Sequence, residues 1–135
     1  MSKTSTHIFV PTTVPTVQHR ATCLGPDGAV AHVSRVIRMI QGRWKLPILF
    51  RLYSDNAMRT LEMKRDLPGI SQKVLTQQLR ELVADRLIER IDFNEKPLRV
   101  EYHLSLIGCD LIPVLIAARA FSVNHSMSDA PENQD

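Results

Sequence analysis

Within residues 71–80, six side chains able to hydrogen-bond to a nucleic acid fall at helical spacing: Ser71, Gln72, Lys73, Thr76, Gln77 and Arg80. A glutamine amide can donate to and accept from an adenine edge, and a lysine or arginine can donate to guanine. Ser71, Thr76 and Arg80 suit phosphate oxygens, the contacts that fix register on a duplex. On the other side, Leu75, Leu79 and Leu82 recur at i, i+4 and i+7, with Val74 and Val83 beside them as one inward stripe. Residues 71–85 therefore predict a helix with one core face and one polar face. A helix about 10–12 Å across fits a major groove roughly 12 Å wide. An ordinary solvated helix would show the same division, so its neighbours decide.

Those neighbours have a definite order. Residues 29–41 predict an amphipathic helix on Val30, Val33, Ile37 and Ile40, ended by Gly42. A second helix spans 44–53, with Trp44, Leu46, Ile48, Leu49 and Leu52 mostly buried and Pro47 harmless in its first turn. A short helix over 60–66 leads into the turn Leu67-Pro68-Gly69-Ile70, after which Ser71 is placed as N-cap. Beyond residue 85 the period becomes alternating, and 87–93 and 99–104 read as two strands joined through 94–98. At the hairpin tip, Asn94, Lys96 and Arg99 are candidates for contact with adjacent phosphates or the groove. A last helix over 105–123 is apolar around most of its circumference and must bury more than one face. A second subunit is the simplest cover. The fold class is mainly α with a small two-stranded β-wing, a winged helix-turn-helix.

The chain has 135 residues, 44% hydrophobic and 23% charged, which fits one domain and excludes collagenous, disulfide-scaffold and wholly disordered classes. The division reads as a Thr/Pro-rich flexible arm over 1–28, a folded body over 29–123 and an acidic disordered tail over 124–135. The net charge of +3 is uneven: residues 34–104 hold 14 basic and 9 acidic residues, and the final segment is acidic. A basic centre favours a polyanion, here double-stranded DNA. The longest uninterrupted apolar run, 111–118, is too short to cross a bilayer, and residues 1–10 lack a secretory pattern. The expectation is a cytoplasmic protein, nucleoid-associated when bound, with no membrane partner.

Other chemistry has little support in the residues. The five histidines show no paired metal-ligand spacing, and there is no phosphate loop or nucleophile motif. No catalytic residue, metal or cofactor is assigned, and an enzyme is not expected. Cys23 has His19 and Arg20 nearby, which would favour its thiolate, so it is the candidate redox sensor. Cys109 reads as a small core residue.

Three stretches carry a resemblance: Ile40-Gln41-Gly42-Arg43-Trp44-Lys45-Leu46, the run from Leu67-Pro68-Gly69-Ile70-Ser71-Gln72-Lys73 through Leu79-Arg80-Glu81-Leu82, and Pro97-Leu98-Arg99-Val100-Glu101-Tyr102-His103-Leu104-Ser105. In these the sequence resembles the HxlR-type bacterial transcription regulators, over about residues 30–121. The resemblance implies a homodimeric repressor or activator, dimerised through its first and last helices and acting on a palindromic operator. Many members carry a cysteine at the start of the first body helix, which in some senses oxidants or electrophiles and would fall near Ala31; here Cys23 lies about eight residues earlier. Members also often have glycine where Arg86 stands, so Arg86 must take a turn conformation or shift the boundary. The switch is left between a small-molecule and a redox effector. The alternative is a winged-helix module for protein–protein contact, without sequence-specific DNA binding.

Overall fold

The computed structural model describes residues 22–125. The expected arm up to residue 21 and the expected tail from residue 126 lie outside these. The chain falls into two compact units, 1–38 and 39–135.

In the first unit, residues 22–24 form a helical turn, and the Gly28 N–H donates to the Gly25 carbonyl oxygen at 2.9 Å. Gly28 is required by close approach: a β-carbon there would stand 2.5 Å from the Thr22 carbonyl oxygen. Helix α1 (Ala29–Ile40) then begins and is strongly amphipathic, as its periodicity predicts. Its apolar residues Val30, Val33 and Ile37 are each more than half exposed.

The second unit takes over at Met39, and Met39 and Ile40 pack against its core. Gly42 adopts φ +105, a region closed to most L-residues, and ends α1. Helix α2 (Lys45–Asp55) buries Ile48, Leu49 and Leu52 on one face, with Trp44 and Leu46 partly buried. Helix α3 (Thr60–Asp66) is tied back to α2 by Arg51, which reaches Asp66 at 2.6 Å and Asp55 at 3.1 Å. Gly69, at φ +92, makes the turn into helix α4 (Gln72–Ala84), and the Val74 N–H donates to the Ser71 hydroxyl at 3.1 Å as the cap. Strands β1 (Ile88–Asp92) and β2 (Val100–Leu104) pair antiparallel, from Ile88 opposite Leu104 to Asp92 opposite Val100. Met58 adds a bridge on the free side of β2, exchanging two backbone hydrogen bonds with Tyr102. Helix α5 (Leu106–Asn124) follows, capped by Ser105.

Ile48, Leu49, Leu52, Met63, Leu75, Leu79, Leu82, Leu87 and Ile88 form the fully buried centre, with Ile112 and Leu115 of α5 closing one side. Gly108 lets α5 approach the chain at Leu87, whose carbonyl a β-carbon at that position would overlap.

Several details differ from expectation. Val74 and Val83 flank the leucine stripe but are 37% and 36% exposed, because they sit at the edges of a stripe one leucine wide. Strand β1 buries Ile88 alone, and Ile91 is 37% exposed, since its other side has no covering layer. Cys109 is exposed, not core: the buried face of α5 follows Gly108, Ile112 and Leu115, and Cys109 lies one step round. Helix α5 also has 19 residues, an 18-residue stretch of which has mean hydropathy 1.8, enough by length and composition to cross a membrane. Asp110 and Arg119 break its uninterrupted run, which is why the sequence looked too short. One face of it belongs to the core described above. Pro113, within α5, interrupts the backbone ladder without ending the helix.

Candidate nucleic-acid interface

The polar face of α4 is open to solvent. Ser71, Gln72, Lys73, Gln77 and Arg80 are exposed, and Thr76 is half-buried. The Ser71 hydroxyl oxygen is engaged as the cap, which leaves its proton free to donate outward. The Gln72 amide reaches the Thr76 hydroxyl at 3.4 Å, a long contact that a base edge can displace. Lys73 pairs with no carboxylate among the described residues.

Gln77 is held more firmly. Its Nε2 donates to Glu81 Oε2 at 2.9 Å, and Glu81 Oε1 accepts from Lys45 Nζ at 2.6 Å. These contacts, the Gln77 amide first and the Lys45 ammonium second, lower the Glu81 pKa.

Between α4 and the hairpin runs a groove lined by Thr76, Leu79, Arg80, Val83, Arg90 and Tyr102. Arg80 and Arg90 approach it from opposite walls, and neither pairs with a carboxylate among the described residues. Two unneutralised guanidinium groups lining one groove, with the Thr76 and Tyr102 side chains in the same lining, can hold phosphate oxygens in a bidentate manner. Arg90 was not among the sequence candidates. The signal was there, because residues i and i+2 of a strand share a face, and Ile88 is core.

Arg43 is a second omission. One of its guanidinium nitrogens lies 3.9 Å from where a Gly69 β-carbon would stand, beside the turn that leads into α4, and the group stacks over Trp44 at 4.5 Å.

The hairpin tip is less basic than expected. Residues 88–101 hold three basic and four acidic side chains. Arg99 stacks over Phe93 at 4.0 Å and pairs with Glu101 at 3.2 Å and Glu95 at 3.7 Å. Asn94 adopts φ +56, with its backbone N–H donating to Asp92 Oδ1 at 2.8 Å, and its side chain is exposed. Lys96 carries the tip's one charge without a carboxylate partner among the described residues. Arg86 takes the turn conformation, at φ +64, and is exposed. Cys23 is a free, half-buried thiol in the first unit. Among the described residues no three His, Cys, Asp or Glu side chains gather as metal ligands.

Comparison with known proteins agrees with this geometry. The pattern of the HxlR-like helix-turn-helix family matches residues 39–129. The HTH-type transcriptional regulator YtcD of Bacillus subtilis is 46% identical over 93 residues, covering 69% of this chain and 73% of YtcD. A solved chain from Enterococcus faecalis V583, assigned to the MarR family of transcriptional regulators, superposes with a TM-score of 0.69 at 35% identity, over 75% of this chain and 91% of that one. The reduced form of the redox regulator HypR gives 0.65 at 31% identity, over 71% and 94%. With its Ser71-capped helix α4, its two-stranded wing and these relatives, the chain belongs to the HxlR-like helix-turn-helix family of transcriptional regulators.

Proposed function

We propose that the protein regulates transcription as a homodimer on a palindromic operator, with α4 of each subunit in a major groove. The observation that carries the reading is the open polar face of α4 beside the Arg80–Arg90 groove. Gln72, Lys73 and Gln77 meet base edges. Ser71, Thr76, Arg80 and Arg90 hold phosphates, and Asn94 and Lys96 approach the flanking backbone. Arg99 shapes the wing through Phe93, Glu95 and Glu101 and offers phosphates only part of its charge.

The homodimer rests on α5. Val114, Ile116, Phe121 and Val123 are 44–61% exposed on a helix with an 18-residue stretch of mean hydropathy 1.8, a surface that water alone covers poorly. The exposed stripe of α1 offers a second apolar surface. The protein works in the cytoplasm, on the nucleoid, and performs no chemistry on a bond. Cys23 is its redox-responsive thiol, a reading supported by its free state and by HypR, a relative named as a redox regulator. Unchanged electrophoretic migration and unchanged operator binding after oxidant would remove that role.

Selection from random duplexes tests the main reading. The expected result is an enriched palindrome with half-sites about one helical turn apart. Affinity should fall by about three decades between about 50 and 200 mM salt, for six or more phosphate contacts. No enriched sequence would leave the fold as a protein-interaction module.

A further inference from the structure

Lys45 is the buried charged side chain of the described residues, 9% exposed. It opens α2, yet its ammonium lies 2.6 Å from Glu81, 36 positions later on α4. Lys45 is buried but the Glu81 side chain is 41% exposed, and such a half-buried ion pair contributes little net stability, because desolvation of the ammonium and screening at the carboxylate offset the attraction. Its lasting effect here is geometric. Glu81 is fixed by Lys45 through Oε1, and its Oε2 accepts from Gln77 Nε2 at 2.9 Å.

A free glutamine on an exposed helix face samples several rotamers and can present either end of its amide. A carboxylate only accepts, so it captures the NH2 group and excludes the flipped amide. The Gln77 oxygen and its second N–H are thereby left for a partner outside the protein. We propose that Lys45 and Glu81 are positioning residues for base recognition, fixing the Gln77 amide so that its oxygen accepts from the amino group of one base while its free N–H donates to the neighbouring acceptor. In the major groove that donor–acceptor pair is an adenine edge, N6–H and N7. The inference rests on the reading that Gln77 faces a base, and it adds which base and why the amide is not free to choose.

The test is random-duplex selection with the full chain as wild type, Gln77→Ala, Glu81→Ala, Lys45→Met and the Gln77→Ala/Glu81→Ala pair, each checked for thermal unfolding. Gln77→Ala should erase an adenine preference at one position of each half-site. Glu81→Ala and Lys45→Met should weaken discrimination at that same position roughly tenfold and leave the other positions as they were. The double variant should read like Gln77→Ala alone. Should Glu81→Ala fail to fold, Lys45→Met, close in volume and apolar, carries the result. If Gln77→Ala changes the preference while the other two variants keep it, or lose affinity equally for every sequence, the positioning role is overturned and base reading by Gln77 stands. If Gln77→Ala itself leaves the preference intact, both fall.

Discussion

The Ser105 hydroxyl donates to the Arg86 carbonyl oxygen at 2.6 Å, fastening the junction between α4 and β1 to the start of α5. The Ser105 hydroxyl oxygen in turn accepts from the Gly108 N–H at 2.9 Å, and the Ser105 N–H donates to the Leu87 carbonyl oxygen at 3.1 Å. One 7%-exposed serine therefore holds the left-handed Arg86 turn in place. Ser105→Ala removes a cap and leaves a carbonyl unpaired, so unfolding in urea should show a loss of about 1–2 kcal/mol. Ser105→Thr should recover most of it. An alanine variant as stable as wild type would show that water replaces both contacts.

Arg90→Ala and Arg80→Ala should weaken binding to every duplex sequence about equally. Each should also lower the slope of log affinity against log salt by about one per subunit. Titrations at four salt concentrations measure this. A change confined to one base position would make the residue a base reader instead.

The exposed face of α5 predicts the response to charge. Ile116→Glu with Phe121→Glu places two carboxylates on an apolar surface and should raise the dimer dissociation constant by about a hundredfold or more. The monomeric unit should unfold near the wild-type midpoint, because both residues are exposed. Sedimentation at several concentrations separates this from misfolding.

Glu81 gives a pH dependence with a definite sign. Its carboxyl is held below the ordinary 4.5 by the Gln77 amide and then by Lys45. A lowered folded-state value means the stabilisation is complete above about pH 4.5 and is lost as pH falls through the folded value. Wild type and Glu81→Gln should therefore differ most in urea midpoint near neutral pH and converge in acid. A gap that widens in acid would contradict the assignment.

Much of this was legible in the sequence because its signals are local. The Leu75, Leu79 and Leu82 stripe, the Ser71 cap and the change of period after Asp85 each mark an element, and α3 fell where its residues predicted. What stayed hidden depends on distance through space. Lys45 and Glu81 look like two surface charges until α2 and α4 are packed together. Arg90 looks like a strand residue until the groove beside Arg80 is formed. Arg99 counted as a basic tip residue because its stacking on Phe93 and its two carboxylates arise only when the hairpin closes.

That closed hairpin bears on how the protein finds its site. Its three cations, of which Arg99 alone is paired among the described residues, are outnumbered by four carboxylates, so its net charge adds little to the attraction between a duplex and a basic surface. On the reading proposed above, encounters with the wrong sequence should then be brief, and the wing should add residence time only where groove shape lets it seat. A wing of this composition would then favour rapid search over tenacious hold.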